Sequence, residues 1–557
     1  MTLSPISHGK GSTTRLPSKF DLLLNKKTFE YDIYSLIRAF FPGAGVTIGY
    51  YGEAALSVDD AEKGVTAEAP AAKAGQPAAE GKNGTFTVFY GDKEMTFSYE
   101  AAEGSAPVES RADDVPVRSA DDVLTRTFRK KAPLTDFDDR IVTKNEVKQL
   151  VYRSLREMTG RDLPWGDLTG IRPVKIPMHL LEEGRNDEEI AAYLRDTYFV
   201  SEGKIALAVE TAHREKTLLD RIDPEKGYSL YVGIPFCPSI CLYCSFGSHQ
   251  MDRFRNMVEP YIETLGKELD FIAEEMKGRH PDSIYIGGGT PTSITAGQLR
   301  RVLQLIEDRF DTKHVEEYTV EAGRPDTITE EKLRVMREFP VTRISVNPQT
   351  MNQKTLDLIG RRHTVEDAIE KFRMARALGF DNINMDLIIG LPGEGRDEVE
   401  HTLEEIGKLD PDSLTIHSLA LKRATRLNLF KEQYEPISFE NSESIMESTE
   451  RAARAMGMAP YYLYRQKNMA GNFENVGYAK PGKEGVYNIL IMEEKQTIMA
   501  AGSGASTKFV FDGGRRIERA ENVKDLKGYI ERIDEMMARK KYGIDRYLNG
   551  NTSNDED

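Results

Sequence analysis

The sequence is short of cysteine, of tryptophan and of positive charge, and it lacks any long apolar run. Three cysteines occur in 557 residues, all within eight positions: Cys237, Cys241 and Cys244. An odd number so close together excludes a disulfide framework, because one thiol is left over in any pairing. Lys and Arg number 75 against 90 Asp and Glu, a formal net charge of -15. That deficit argues against a general nucleic-acid binder, whose phosphate contacts need a basic footprint. It also means that an anionic ligand must meet a local basic patch rather than a favourable overall field. No stretch of about eighteen apolar residues is present, so no membrane span is readable. The first residues carry no apolar segment behind a basic one, so no secretory signal is readable there. Scarce cysteine without an export signal predicts a cytoplasmic location, where thiols stay reduced.

What is present, 39% hydrophobic and 30% charged residues, is the composition of a folded globular protein, and 557 residues predict two or three domains. Residues 1–142 read as an N-terminal α+β region. Helical spacing covers 29–41, strand content 45–51, and a hairpin 85–99 turns at Gly91-Asp92. A flexible insert is expected at about 54–84, rich in Ala, Gly, Glu and Lys, and a second poor stretch covers 101–122. Residues 143–226 read as helical, with a loop at 164–173 that holds the single tryptophan, Trp165. Residues 227–430 alternate short apolar runs (229–234, 283–286, 317–321, 343–346, 382–389, 413–416) with amphipathic segments (261–276, 296–310, 330–338, 365–378, 398–409). Six strand–helix units in series predict an α/β fold, a partial parallel (β/α)6 barrel. Residues 431–548 form a C-terminal domain with a helix at 443–456, a strand-like pair around Tyr487 and Thr497, and a helix near 523–540. The acidic tail 549–557 is expected to be disordered.

In parallel α/β barrels the reactive groups lie at the carboxyl ends of the strands. Here the first strand runs into the cysteine loop, and the second ends in Gly287-Gly288-Gly289-Thr290-Pro291-Thr292. The third ends at Glu321, and the fourth enters Asn347-Pro348-Gln349. The fifth carries Asp386 inside an apolar run, and the sixth leads to His417 and the basic group Lys422, Arg423, Arg426. Three thiolates on one loop suit three corners of a cuboidal iron–sulfur cluster, leaving one iron open to a small molecule. The rival is a structural zinc, for which His249 would complete Cys-x3-Cys-x2-Cys-x4-His. The glycine run suits a tight turn, or the close approach of a ligand to the main chain. Glu321 alone is compatible with a solvated strand end, and the basic group with a solvated face. Asp386 is costly to bury unpaired and needs a partner, an arginine or a ligand hydroxyl.

The spacing Cys237-x3-Cys241-x2-Cys244, with Tyr243 before the last cysteine and the Gly-Gly-Gly-Thr-Pro-Thr run, resembles the radical S-adenosylmethionine (SAM) enzymes. Tyr231-x-x-Ile-Pro-Phe-Cys, Gln349, Arg361 and Asn384-Met-Asp-Leu-Ile-Ile-Gly-Leu-Pro narrow the resemblance. They point to the oxygen-independent coproporphyrinogen III oxidase/dehydrogenase family, over residues 227–508. Residues 165–173, 345–352, 359–364 and 462–468 are most similar to its HemZ branch. The resemblance implies that Cys237, Cys241 and Cys244 hold a [4Fe–4S] cluster whose fourth iron takes SAM. Tyr231, Gly288 and Glu321 match positions that contact this SAM. Tyr243, Gly289, Thr290, Gln349, Arg361, Asp386 and Ala420 match positions that line a second SAM site. One departure is Phe246, which stands where the oxidase signature has a further cysteine that is not an iron ligand.

The activity so implied is radical oxidative decarboxylation of two propionates to vinyls, giving protoporphyrinogen IX in haem and porphyrin biosynthesis. It implies a tetrapyrrole substrate and a flavodoxin- or ferredoxin-like electron donor. Four substrate carboxylates call for cations, and Arg362, Lys422, Arg423, Arg426 and Arg465 are the candidates. Tyr461, Tyr462, Tyr464 and Tyr487 suit either a flat wall for the ring or a domain core. The alternative is a haem-binding chaperone on the same scaffold. Phe246 favours it; the matched second SAM site, and Tyr487-Asn488 in place of a haem-contacting His-Asn pair, count against it. No motif within 1–225 assigns a role to those residues.

Overall fold

The computed structural model describes residues 18–41, 44–50, 83–102, 127–223, 226–245, 247–420, 441–466 and 473–549. Apart from their end residues, the insert at 54–84, the stretch 101–122 and the acidic tail lie outside this set. So do Phe246 and the basic group 422–426. Contacts divide the chain into two units, 1–169 with 193–201, and 170–192 with 202–557.

The first unit holds a five-stranded sheet of β1 (Lys19–Leu24), β2 (Gly45–Tyr50), β3 (Gly84–Tyr90), β4 (Glu94–Ala101) and β5 (Thr127–Pro133), ordered β2-β1-β3-β4-β5. The parallel pair β1–β2 is joined through the helix Glu30–Phe40. The antiparallel pair β3–β4 closes where Gly91 N–H donates to the Glu94 carbonyl at 2.9 Å. Phe20, Phe40, Phe86, Phe97 and Tyr99 fill the core, with Tyr152 from the helix Arg140–Thr159. Strand β5 has no counterpart in the sequence reading. It is an edge strand with no fully buried position, Thr-Phe-Arg-Lys-Lys-Ala-Pro, and edges carry charge and proline where inner strands carry alternation.

The second unit carries β6 (Gly227–Ile234), β7 (Phe236–Cys237), β8 (His249–Gln250), β9 (His280–Gly288), β10 (Glu317–Val320), β11 (Arg343–Ser345), β12 (Ile383–Ile389) and β13 (Ser413–Ser418). These are followed by β14 (Ala459–Tyr464), β15 (Asn475–Ala479), β16 (Ile498–Ala501), β17 (Ser506–Phe511) and β18 (Arg516–Glu521). Eleven of them form one sheet, β14-β15-β13-β12-β11-β10-β9-β6-β16-β17-β18. The six strands read from the sequence lie side by side in chain order, every pair parallel. The fold is therefore α/β about a parallel sheet, whose strand order has two ends, β14 and β18. The helices Val258–Glu275, Ala296–Glu307, Glu330–Arg337, Val365–Ala377 and Arg396–Leu409 alternate with the strands. Thr295, Thr329 and Thr364 cap three of them through side-chain acceptors, which is why these helices start where they do. Covered on both faces, the strands read as continuous apolar runs.

The strand read around Thr497 is β16; its placement is new, a seventh parallel strand that lines β6 on its outer side. The strand-like reading around Tyr487 is corrected, because Val486–Glu493 is a helix. Its sequence, Val-Tyr-Asn-Ile-Leu-Ile-Met-Glu, is rich in strand formers, and Tyr487, Ile489, Leu490 and Glu493 are all buried. A helix buried on several sides lacks the polar stripe that would identify it. No helix among the described residues is long and apolar enough to cross a membrane.

The C-terminal helix Ile533–Leu548 is fastened by a charge taken fully out of water. Glu268 accepts from Lys540 Nζ, Gly502 N–H (2.8 Å), Asn522 Nδ2 (2.8 Å) and Tyr529 Oη (2.6 Å), and both members of the ion pair are wholly buried. Replacing Lys540 with Met strands the Glu268 charge. It is expected to cost about 3–5 kcal/mol, read as a lower urea midpoint, with Glu268→Gln/Lys540→Met falling by less than the sum of its parts. Glu215 is the opposite case. Its carboxylate oxygens are buried without a hydrogen-bond donor among the described residues, and burial, then the Glu493 charge, push its carboxyl well above the ordinary range. Such a group binds its proton more tightly in the folded chain, so stability is lost as pH rises through the folded pKa. Glu215→Gln is therefore expected to raise the thermal midpoint at pH 8, with the gain shrinking towards pH 5.

Candidate functional site

The cysteines sit on a loop pinned at both ends. Strand β6 passes through Pro235 into β7, and β7 pairs in parallel with β8, so the chain leaves at Cys237 and returns at His249. Gly289 N–H donates to the Ile234 carbonyl (2.8 Å), Thr290 N–H to that of Phe236 (2.7 Å), and Leu242 N–H to that of Ile359 (3.0 Å). Ser239 Oγ reaches the Gly360 carbonyl at 3.2 Å. Cys241 is buried, while Cys237 and Cys244 are half-buried; Cys237 Sγ lies 3.5 Å from Thr290 Oγ1. Among the described residues no three His, Cys, Asp or Glu side chains converge as ligands of one ion do. His249 Nε2 lies instead 3.3 Å from the Lys524 carbonyl. The arrangement does not fit a Cys3His zinc site, whereas thiolates bound to separate irons of a cube need no such convergence.

The glycine run after β9 is placed by sterics. Gly288 has φ +99°, which L side chains rarely adopt, and a Cβ on Gly289 would lie 2.6 Å from the Phe236 carbonyl oxygen and 2.8 Å from that of Ile234. Backbone cannot yield as a flexible side chain can, so only glycine lets the second strand end lie against the cysteine loop. Tyr231, half-buried on β6, lies with its ring centroid 6.3 and 6.2 Å from those of Tyr285 and Tyr487, which stack on each other at 4.4 Å.

Glu321 is no solvated strand end. Tyr285 Oη and Ser345 Oγ (3.0 Å) donate to one of its oxygens, and Asn347 Nδ2 (3.3 Å) to the other. The partner that Asp386 requires is not an arginine. Asn384 Nδ2 donates to it at 2.7 Å, and His417 Nε2 lies 3.7 Å away. Burial, then the charge of Asp386, push the Glu321 carboxyl up. Burial also pushes Asp386 up, but His417, Asn384 and Thr415 outweigh it and hold that carboxyl below its ordinary value. Gln349 takes a left-handed φ of +72°, a strain of about 1–3 kcal/mol. It is held by its N–H to the Asp386 carbonyl (3.0 Å) and by Ile388 N–H to its own (2.9 Å). Arg361 is 6% exposed, and donates to the carbonyls of Asn347 (2.7 Å) and Gly323 (3.4 Å) and to Tyr243 Oη (3.3 Å). Ala420 is half-buried just beyond β13.

The residue that joins these groups, Asn347, went unassigned in the sequence reading. Its side chain donates to Glu321 and accepts from Asp386 N–H (3.2 Å), and its carbonyl accepts from Arg361. Tyr285 and Ser345 were also missed; their signal was a polar group inside an apolar run, as for Asp386. Of the proposed clamps, Arg362 is exposed. Arg465 is buried, and burial pushes its guanidinium down to about 10 against the charge of Glu474. Tyr461 is wholly buried and bonded to Asn488 Nδ2 (3.2 Å), a core residue, while Tyr462 and Tyr464 stack at 6.1 Å. Gly289→Ala is expected to push the cysteine loop off the second strand end and to cut iron and acid-labile sulfide per anaerobically reconstituted chain by more than about half, with little change in far-ultraviolet circular dichroism.

Residues 231–406 match the radical SAM superfamily. Over 395 residues the chain is 44% identical to the oxygen-independent coproporphyrinogen-III oxidase-like protein HemZ of Bacillus subtilis (strain 168), covering 70% of this chain and 79% of that one. Over 319 residues it is 32% identical to the heme chaperone HemW of the same organism, covering 55% and 76%. The solved structure of coproporphyrinogen III oxidase (HemN) from Escherichia coli aligns over 58% of this chain and 72% of its own, at 23% identity and a TM-score of 0.46. The cofactors are those of the superfamily, a [4Fe–4S] cluster and SAM. With its cysteine loop at the carboxyl ends of a parallel sheet, and with 44% identity across most of HemZ, the chain belongs to the radical SAM superfamily, in the HemZ-like group of the oxygen-independent coproporphyrinogen III oxidase family.

Proposed function

We propose that the chain is an oxygen-independent coproporphyrinogen III dehydrogenase, which decarboxylates two propionates to vinyls and yields protoporphyrinogen IX. In this reading Cys237, Cys241 and Cys244 hold the cluster. Tyr231, Gly288 and Glu321 contact the SAM at its open iron, and Tyr243, Gly289, Thr290, Gln349, Arg361, Asp386 and Ala420 line a second SAM site. The bound cluster and SAM supply the hydrogen-atom abstraction that starts the decarboxylation. The chain supplies placement. Gly288 and Gly289 bare the main chain to a ligand's polar end. Glu321, braced by Tyr285, Ser345 and Asn347, keeps acceptor capacity for an ammonium or hydroxyl.

The observation that carries the proposal is the joining of Glu321, Asp386 and Arg361 through Asn347, beside the cysteine strand end. Two carboxylates and a guanidinium in one network suit two zwitterionic ligands bound side by side, an investment that a carrier of haem does not need. A net charge of -15 leaves the substrate carboxylates dependent on local cations, for which Arg362, Lys422, Arg423 and Arg426 are proposed. The cytoplasm and a flavodoxin- or ferredoxin-like donor complete the reading. The 32% identity to a heme chaperone and Phe246 favour a second reading, a haem carrier on the same scaffold.

The test is anaerobic incubation of the reconstituted chain with coproporphyrinogen III, SAM and a low-potential reductant. Protoporphyrinogen IX appearing with 5′-deoxyadenosine is the expected result; tight stoichiometric haem binding without either product overturns it. Cys241→Ala is expected to lose the brown chromophore and SAM cleavage together. Asp386→Ala keeps the chromophore and loses product formation by at least about tenfold, a barrier change of about 1.4 kcal/mol.

A further inference from the structure

None of the ligand positions proposed above includes Arg324, although it is 3% exposed and lies against the cysteine loop. It follows β10 by four residues, and Pro325 holds it extended (φ -127°). Thr327 Oγ1 donates to its carbonyl at 2.8 Å. One edge of the guanidinium meets both oxygens of Asp326, Nε to Oδ1 at 2.9 Å and Nη2 to Oδ2 at 2.8 Å, the forked pairing that fixes its plane. The remaining nitrogen, Nη1, then faces the loop. It donates to Ser239 Oγ (3.1 Å), to the Ser239 carbonyl (3.3 Å) and to Cys241 Sγ (3.4 Å). The other ionisable groups acting on this pair are Arg361 and His363. His363 is buried with no hydrogen-bond partner for its ring nitrogens among the described residues. Burial, then Arg361, push it down to about 3, so it adds no charge.

We infer that Arg324 tunes the reduction potential of the cluster through its hydrogen bond to Cys241, with Asp326 as the opposing charge. An electron added to an iron–sulfur cluster increases the negative charge on the ligand sulfurs. A donor and a cation beside one sulfur therefore stabilise the reduced state more than the oxidised one, and raise the potential. The Asp326 carboxylate on the far edge weakens that field. Ser239, which accepts from the same nitrogen, keeps the guanidinium in line with the sulfur. The inference rests on the cysteine assignment of the preceding subsection and not on the identity of the substrate.

The test is a potentiometric titration of the anaerobically reconstituted full chain, followed by the electron paramagnetic resonance signal of the reduced cluster. Arg324→Met is expected to lower the midpoint. A tenfold shift of the one-electron reduction equilibrium, which corresponds to about 59 mV, is the scale of the effect. Arg324→Lys keeps the charge without the fork and falls between the two. Asp326→Asn is expected to raise the midpoint, and the opposite signs separate tuning from a general loosening of the loop, which would move both variants the same way. Unchanged midpoints, or shifts of one sign in both, overturn the inference. Should Arg324→Met fail to hold a cluster, Asp326→Asn decides alone: a rise supports the inference, and no change or a fall overturns it. If the unchanged chain takes up no cluster, the cysteine assignment falls and this inference with it; a loaded cluster with fixed potentials sinks only the latter.

Discussion

Charge withdrawn from water must be paired, and at the carboxyl ends of this sheet Glu321, Arg361 and Asp386 each have a partner on another strand or strand end. Glu321 follows β10 but is satisfied from β9, β11 and the turn after β11. Arg361 lies beyond that turn and is anchored on carbonyls after β10 and β11. Asp386 sits within β12 and is held by His417 on β13. Unpaired, each would cost several kcal/mol. The partners exist only when adjacent parallel strands are in register. The site and the register are thus one requirement, and the polar layer acts as a check on the assembly of the apolar sheet below it.

The same logic is repeated away from the ligand positions. Glu268 gathers donors from four segments and ties the helix Ile533–Leu548 to the helix Val258–Glu275 and to Gly502, just beyond β16. Glu494 does so for residues 170–192, accepting from Arg172 Nη2 (2.8 Å), Lys175 (3.1 Å) and Lys508 (3.2 Å). The arginine of the Trp-Gly-Asp-Leu-Thr-Gly-Ile-Arg-Pro stretch is therefore a structural cation. Buried ion pairs are weak sources of net stability but severe when halved, so such pairs specify position more than they add free energy.

The six strands and their order were legible because strands buried on both faces are short apolar runs punctuated by capped helices, and each cap is a local signal. The helix Val486–Glu493 was not legible, because burial on several sides erases the stripe that betrays a helix, and β5 was not, because an edge strand is written in lysine and arginine. The cysteines, glycines and carboxylates announced themselves by residue type at strand ends. Asn347 and Arg324 did not. An asparagine or arginine near a strand end reads as solvated until its partners, dozens of residues distant, are brought alongside. Arg465 misled for the same reason, since its type suggested an exposed clamp and its burial beside Glu474 denies that.

Strand β16 carries a consequence for biosynthesis. It lines the outer edge of β6, the strand that feeds the cysteine loop, yet Ile498 follows Ile234 by more than half the distance that separates Met1 from Leu414. At the roughly 5–20 residues per second of translation, β6 waits on the ribosome for tens of seconds with one hydrogen-bonding edge bare. A nascent chain halted before β16 would offer its thiols on an unfinished scaffold and an adhesive border to its neighbours. Iron and sulfide are therefore best delivered once β16 has paired with β6 and closed that border.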